Sequence, residues 1–158
     1  CLFVWIMGYL IKSTIDGTSV TGTTITISDS KLIVANSLTV GDILEVNYGW
    51  SKLVAPFNLF VRIYINTSNS LTGATQLALY NTAVGITPGI GGRIFYIKSA
   101  TNTDSSIVTS SQINPDAVVT ANSSLNIDWT VSQYLIIALS NSGPGCNSFS
   151  TFLLGLKR

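Results

Sequence analysis

The chain is expected to be all-β, an antiparallel β-sandwich of jelly-roll-like form, and three observations predict it. Apolar and polar residues alternate along several runs, as a half-buried strand requires. Sustained apolar spacing at three and four residues, the mark of an amphipathic helix, is missing, while Thr, Val and Ile abound. Clusters of Gly, Pro, Asn and Asp punctuate the chain at short intervals.

Residues 1–8 read as an N-terminal extension or attachment segment, and residues 9–158 as a single domain, long enough to bury a sufficient core. The opening CLFVWIMGYLI falls short of the roughly 20 apolar residues of a membrane helix. It also lacks a basic leader and a small-residue cleavage site, so neither a signal peptide nor a membrane span is expected. Met7-Gly8-Tyr9 reads like a natural start, which would make residues 1–6 an upstream extension.

Tyr9–Ile15 is the first expected strand, and Asp16-Gly17 a tight turn after it. Thr23–Ser28 and Lys31–Val34 follow as strands, and Val40-Gly41-Asp42 introduces a long one. There Leu44, Val46, Tyr48 and Trp50 share a face, with Glu45, Asn47 and Gly49 on the other. Past Pro56, a turn or sheet-edge residue, Phe57, Leu59, Val61, Ile63 and Ile65 alternate with Asn58, Arg62 and Asn66. Gln76–Tyr80 is a strand, Thr87-Pro88-Gly89-Ile90-Gly91-Gly92 a flexible loop, and Arg93–Ser99 a strand again. Leu125, Ile127, Trp129 and Val131 alternate with Asn126, Asp128 and Thr130, a third clear run. Tyr134–Leu139, a loop at Asn141-Ser142-Gly143-Pro144-Gly145, and Phe149–Leu156 complete the series. Ala35-Asn36-Ser37-Leu38 and Ala121-Asn122-Ser123-Ser124-Leu125 echo each other faintly; a pair of entry turns, one into each sheet, would explain it, and chance similarity in an Asn/Ser-rich chain explains it nearly as well.

Charged residues make up 9% of the chain, against about 25% in an ordinary domain, and the net charge is +1. Mean hydropathy is +0.45. Little charge repulsion would keep such monomers apart, which points to coverage by other subunits and to a homo-oligomer. Leu2–Ile6, Leu135–Leu139 and Phe152–Leu156 contain consecutive apolar residues, some of which alternation would turn outward. The plainer alternative is that these are central strands buried on both faces. Lys12, Lys31, Lys52, Arg62, Arg93 and Lys98 stand singly and only Lys157-Arg158 is a pair, so no nucleic-acid partner is expected. Cys1 and Cys146 have no spacing that suggests a bridge; free thiols fit synthesis in a reducing cytoplasm.

Catalysis finds little support. Histidine, the commonest general base and metal ligand, is absent. The seven carboxylates are Asp16, Asp29, Asp42, Glu45, Asp104, Asp116 and Asp128. Asp16 and Asp42 read as turn residues. Glu45 and Asp128 could approach across a sheet as a glycosidase pair, but two solvated strand carboxylates are the favoured reading. Asn102-Thr103-Asp104 is only a weak beginning of a calcium loop. Gly89-Ile90-Gly91-Gly92 lacks the Lys and helix of a phosphate cradle. Asn66 and Asn122 match the glycosylation pattern by composition alone. Trp50 and Trp129 read as core, leaving Trp5 and Tyr96 as open candidates for sugar stacking. No catalytic, cofactor-binding or metal residue is assigned, no cofactor is expected, and the binding surface is left open.

The run Lys31-Leu-Ile-Val-Ala-Asn-Ser-Leu-Thr-Val-Gly-Asp-Ile-Leu, then Ser68-Asn-Ser-Leu-Thr-Gly-Ala-Thr-Gln-Leu and Val118-Val-Thr-Ala-Asn-Ser-Ser-Leu-Asn-Ile-Asp-Trp, resembles the β-sandwich modules of tailed-bacteriophage virion proteins. In those modules an A-N-(S/T)-L-x-x-G-D segment opens the unit and a final strand closes it. Gly143-Pro144-Gly145-Cys146 departs from their simpler polar turn. The resemblance covers most of the chain after Met7 and implies a structural virion protein: a tail or head fibre, a spike head or a decoration subunit. It further implies a homotrimer, other virion proteins held through the N-terminal segment, a host-surface glycan or protein as contact, and the virion as location. A secreted or surface carbohydrate-binding or adhesin module is the alternative.

Overall fold

The computed structural model describes residues 8–13, 15–53, 57–82, 88–107, 122–144 and 147–158. Eleven strands lie among them: β1 (Gly8–Ser13), β2 (Val20–Thr21), β3 (Thr26–Ile33), β4 (Ile43–Lys52), β5 (Leu59–Asn66), β6 (Thr75–Asn81), β7 (Gly89–Ser99), β8 (Asn102–Ile107), β9 (Asn122–Leu125), β10 (Gln133–Asn141) and β11 (Asn147–Lys157). No helix is present among the described residues, and so none long and apolar enough to cross a membrane.

Two antiparallel sheets form the sandwich. The larger runs β1-β11-β4-β7-β8-β9, with β2 also on β11, and the smaller runs β3-β10-β5-β6. With β2, β8 and β9 set aside, the first strand pairs with the last, β1 with β11. Then β3 pairs with β10, β4 with β7 and β5 with β6. A long double strand wound around itself gives this order, which is the eight-stranded jelly roll. The hairpin β8–β9 widens the larger sheet beyond β7.

The two long alternations form β4 and β5 as expected. Leu44, Val46, Tyr48 and Trp50 of one, and Leu59, Val61, Ile63 and Ile65 of the other, meet in the core with Phe95, Ile97, Leu135, Ile137, Leu139 and Leu153. Trp50 is fully buried, its ring 4.7 Å from that of Tyr80 and 6.0 Å from that of Tyr48. One sandwich edge is joined by hydroxyls. Ser28 of β3 accepts from the Ser150 amide of β11 at 2.9 Å and donates to the Thr18 carbonyl at 2.8 Å.

Four expectations need correction. Asp16-Gly17 makes no hairpin: the Gly17 amide donates to the Ser150 carbonyl and the Thr18 amide to the Ser28 carbonyl, so this stretch runs between the sheets. Gly17 serves close approach, since a Cβ there would lie 2.5 Å from the Ser28 carbonyl oxygen. The glycines of the expected loop 87–92 instead begin β7, beside Trp50 and Tyr48. A Cβ on Gly91 would come within 2.7 Å of the Tyr48 ring, so these glycines make room for aromatic rings of the adjoining strand. The third alternating run is a strand only as far as Leu125; Ile127 and Trp129 reach the core from a loop, and Val131 is exposed. The echoing segments are unlike: Ala35–Ser37 is a turn, with Asn36 at a φ of 59°, whereas Asn122–Leu125 is a strand paired with β8.

The Ala35-Asn36-Ser37-Leu38 to Gly41-Asp42 segment crosses from β3 in one sheet to β4 in the other rather than opening the unit. Asn36 and Gly41 take the positive φ its turns need, and Leu38 is buried beneath them. Cys1, Trp5 and Leu2–Ile6, Cys146, Asp116, and the side chains of Asp104 and Asn122 lie outside the described residues.

Candidate functional site

The carboxylates are each held locally. Glu45, on the outward face of β4, pairs with Arg158 at 2.6 Å and accepts from the Asn47 amide at 3.0 Å. Asp128 lies in the loop after β9, where one oxygen accepts from the Thr130 amide at 2.9 Å and its hydroxyl at 2.6 Å. Those two bonds lower the Asp128 pKa from its ordinary value. Glu45 is thus tied to Arg158 on the outward face of β4, whereas Asp128 lines a cleft formed with residues of the smaller sheet. Asp42 is a turn residue as read, accepting from Thr39 and pairing with Lys157 at 2.8 Å. Burial pushes its pKa up, but the bonds from Lys157 and Thr39 outweigh that and leave it lowered. Asp29 pairs with Lys31 at 3.3 Å.

Two side-chain oxygens of the calcium-loop candidate are committed to the fold. Asn102 Oδ1 accepts from Ser124 at 2.9 Å, and Thr103 Oγ1 from the Trp129 indole at 2.7 Å. Among the described residues no group of three or more His, Cys, Asp or Glu converges. Asn66 also works structurally, its amide donating to the Ser70 and Thr72 carbonyls of the β5–β6 connection. Trp50 and Trp129 are both core residues, and Tyr96 is 46% exposed on β7.

Two features remain that can meet a partner. The first is the outward face of the larger sheet. Register sets Phe149, Phe152, Leu154 and Leu156 of β11 beside Ser51, Gly49, Asn47 and Glu45 of β4. Ile90, Ile94 and Tyr96 of β7 continue the face beyond β4, and Tyr9 and Lys12 of β1 flank it on the other side. Tyr9 is 58% and Ile90 55% exposed. A Cβ on Gly49 would collide with the Phe152 ring, which fills the space over that glycine. Of the apolar runs, then, Phe152–Leu156 does turn side chains outward. Leu135–Leu139 instead follows the plainer alternative and is buried throughout.

The second is an end of the sandwich, where the loop Asn126–Thr130 separates two clefts. One, of about 170 Å³, lies against Leu38, Val40, Ala100 and Trp129. The other, of about 270 Å³, is polar and takes Asp128, Asn126, Gln133, Asn66, Thr67 and Thr75 among its walls. The cleft is not legible in the sequence because its walls come from two distant stretches, residues 65–75 and 126–133. The only local signal was the Asp128-x-Thr130 spacing of a side-chain-capped turn. Comparison of the chain with protein-family models, curated proteins and solved structures finds no match.

Proposed function

We propose that the chain is a non-enzymatic structural subunit that works as a homo-oligomer, of the kind that tailed-bacteriophage virions use as fibre heads, spike heads or decoration proteins. The observation that carries the assembly part is the outward face of the larger sheet. An antiparallel sheet that faces water normally alternates apolar-in with polar-out. Here Phe149, Phe152, Leu154, Leu156, Ile94 and Tyr96 occupy outward positions, and polar residues such as Glu45, with its partner Arg158, Asn47, Ser51, Lys12 and Lys98 are interspersed among them. An apolar area of that kind marks a subunit contact, and closed symmetry would bury it without leaving open ends. The virion setting and the three-fold preference come from the sequence resemblance.

Light scattering on the purified chain tests the assembly. The expected result is an oligomer at micromolar concentration that falls to monomer in Leu154→Glu. A wild-type chain that stays monomeric there refutes it. Genes for capsid, portal or tail proteins beside the coding sequence would support the virion setting, and neighbours of a secretion system would favour the adhesin alternative. Release of reducing ends from a polysaccharide panel, lost in Glu45→Gln or Asp128→Asn, would refute the non-enzymatic reading.

A further inference from the structure

The polar cleft at the end of the sandwich has the chemistry of a small-ligand site, and we propose that it binds one neutral sugar residue. Its volume, about 270 Å³, lies just below the roughly 300–1,000 Å³ of drug-sized sites, which suits a single ring.

Three of its polar side chains are fixed by the fold, and each keeps an oxygen that no described group occupies. Asp128 spends one carboxylate oxygen on Thr130 and retains the other. Gln133 spends its amide nitrogen on the Asp128 carbonyl, at 2.7 Å, and retains its carbonyl oxygen. Asn66 spends its nitrogen on Ser70 and Thr72, at 2.8 and 3.0 Å, and likewise retains its oxygen. Acceptors already held in place lose little entropy when a ligand arrives, which is the basis of preorganised recognition.

Three fixed acceptors call for a ligand that brings several donors. The hydroxyls of Thr67 and Thr75 and the Asn126 amide, on the same walls, can both donate and accept, as sugar hydroxyls require. Ile65 and Ile127 supply apolar surface for the C–H face of a ring. No Lys or Arg lines the cleft, and its one formal charge is negative, so an acidic sugar or a phosphate is disfavoured. A cation would find a single carboxylate and otherwise neutral groups. The cleft is built from the smaller sheet and the Asn126–Asp128 loop, apart from the outward face of the larger sheet, so this proposal does not depend on the assembly reading.

Saturation-transfer NMR and titration calorimetry on the full chain test it. The probes are glucose, galactose, mannose, fucose and N-acetylglucosamine, with sialic acid and methylguanidine as charged comparators. Saturable binding of at least one neutral sugar is expected, in the range of about 1 mM, weakened about tenfold or more in Asp128→Asn. Thr67→Trp, at an exposed position, fills the cleft without touching the core and is expected to abolish binding; it keeps the test valid if Asp128→Asn does not fold. Leu154→Glu is expected to leave sugar binding unchanged. No saturable binding by any neutral sugar, a preference for methylguanidine or sialic acid, or full binding by Thr67→Trp overturns the proposal.

Discussion

Gly89→Ala should destabilise this protein, although strand propensity alone says the reverse. Alanine in a strand interior gains about 0.5–1 kcal/mol over glycine, because the unfolded chain loses less freedom. At this position the added Cβ would lie 2.5 Å from Trp50 Cε2, 2.8 Å from Nε1, and closer still to Cζ2. The indole cannot step aside: it is fully buried, with Tyr80 and Tyr48 packed against it. Overpacking of a filled core costs about 1–3 kcal/mol. The net loss therefore centres on about 1 kcal/mol, which for a chain of this length lowers the Tm by about 2–4 °C. Urea unfolding followed by tryptophan fluorescence, with calorimetry beside it, measures both quantities.

A second variant isolates the cause. Trp50→Phe alone opens space, and it also removes a buried indole N–H that meets no acceptor among the described residues. In Gly89→Ala/Trp50→Phe the new methyl enters the space the larger ring has left, so the two costs should add to less than their sum. A compensating coupling of at least about 0.5 kcal/mol is expected. A Gly89→Ala chain as stable as wild type, or a double variant whose costs simply add, refutes this packing argument.

Thr103→Val should cost about 1–3 kcal/mol, since it leaves the buried Trp129 indole without the acceptor it has at 2.7 Å; equilibrium unfolding measures it. Asp42 predicts part of the acid sensitivity. Its folded pKa lies below the ordinary 3.8, so its contribution is present above that value and is lost as pH falls through the folded one. The slope of Tm against pH below about 4 should therefore be shallower in Asp42→Asn than in wild type.

Sequence alone made β4 and β5 legible because each has one face in the core and one turned away, so period two is written plainly in both. The same signal misled at Leu125–Val131. Ile127 and Trp129 are buried at alternate positions, yet their backbone has left the sheet, and the burial pattern of a loop that dips twice into a core matches that of a strand. At Gly89–Gly92 composition concealed a strand, because the glycines answer to rings 40 residues earlier in the chain and not to a local turn. The cleft had a similar obstacle: Asn66, Asp128 and Gln133 are ordinary polar residues until the winding of the jelly roll sets β5 beside β10.

The scarcity of charge gains a structural meaning from where polarity is spent. Ion pairs among the described residues are Lys31–Asp29, Lys157–Asp42 and Arg158–Glu45, all partly exposed. Connections are held instead by hydroxyls and amides, as at Ser28, Asn66, Thr82 and Thr103. On the proposed assembly face the charged groups are few, and Arg158 already neutralises Glu45. Association through that face should then be driven by apolar burial, which salt does not screen. Raising NaCl from about 0.1 to 1 M shortens the Debye length from about 10 to 3 Å and would weaken an interface built on charge pairs. Here the oligomer should persist across that range, and sulfate should strengthen it by favouring removal of apolar surface from water. Sedimentation velocity at fixed protein concentration reads this directly. Dissociation by 1 M NaCl would show that charges hold the subunits together, and the apolar face of β11 would lose its place as the contact.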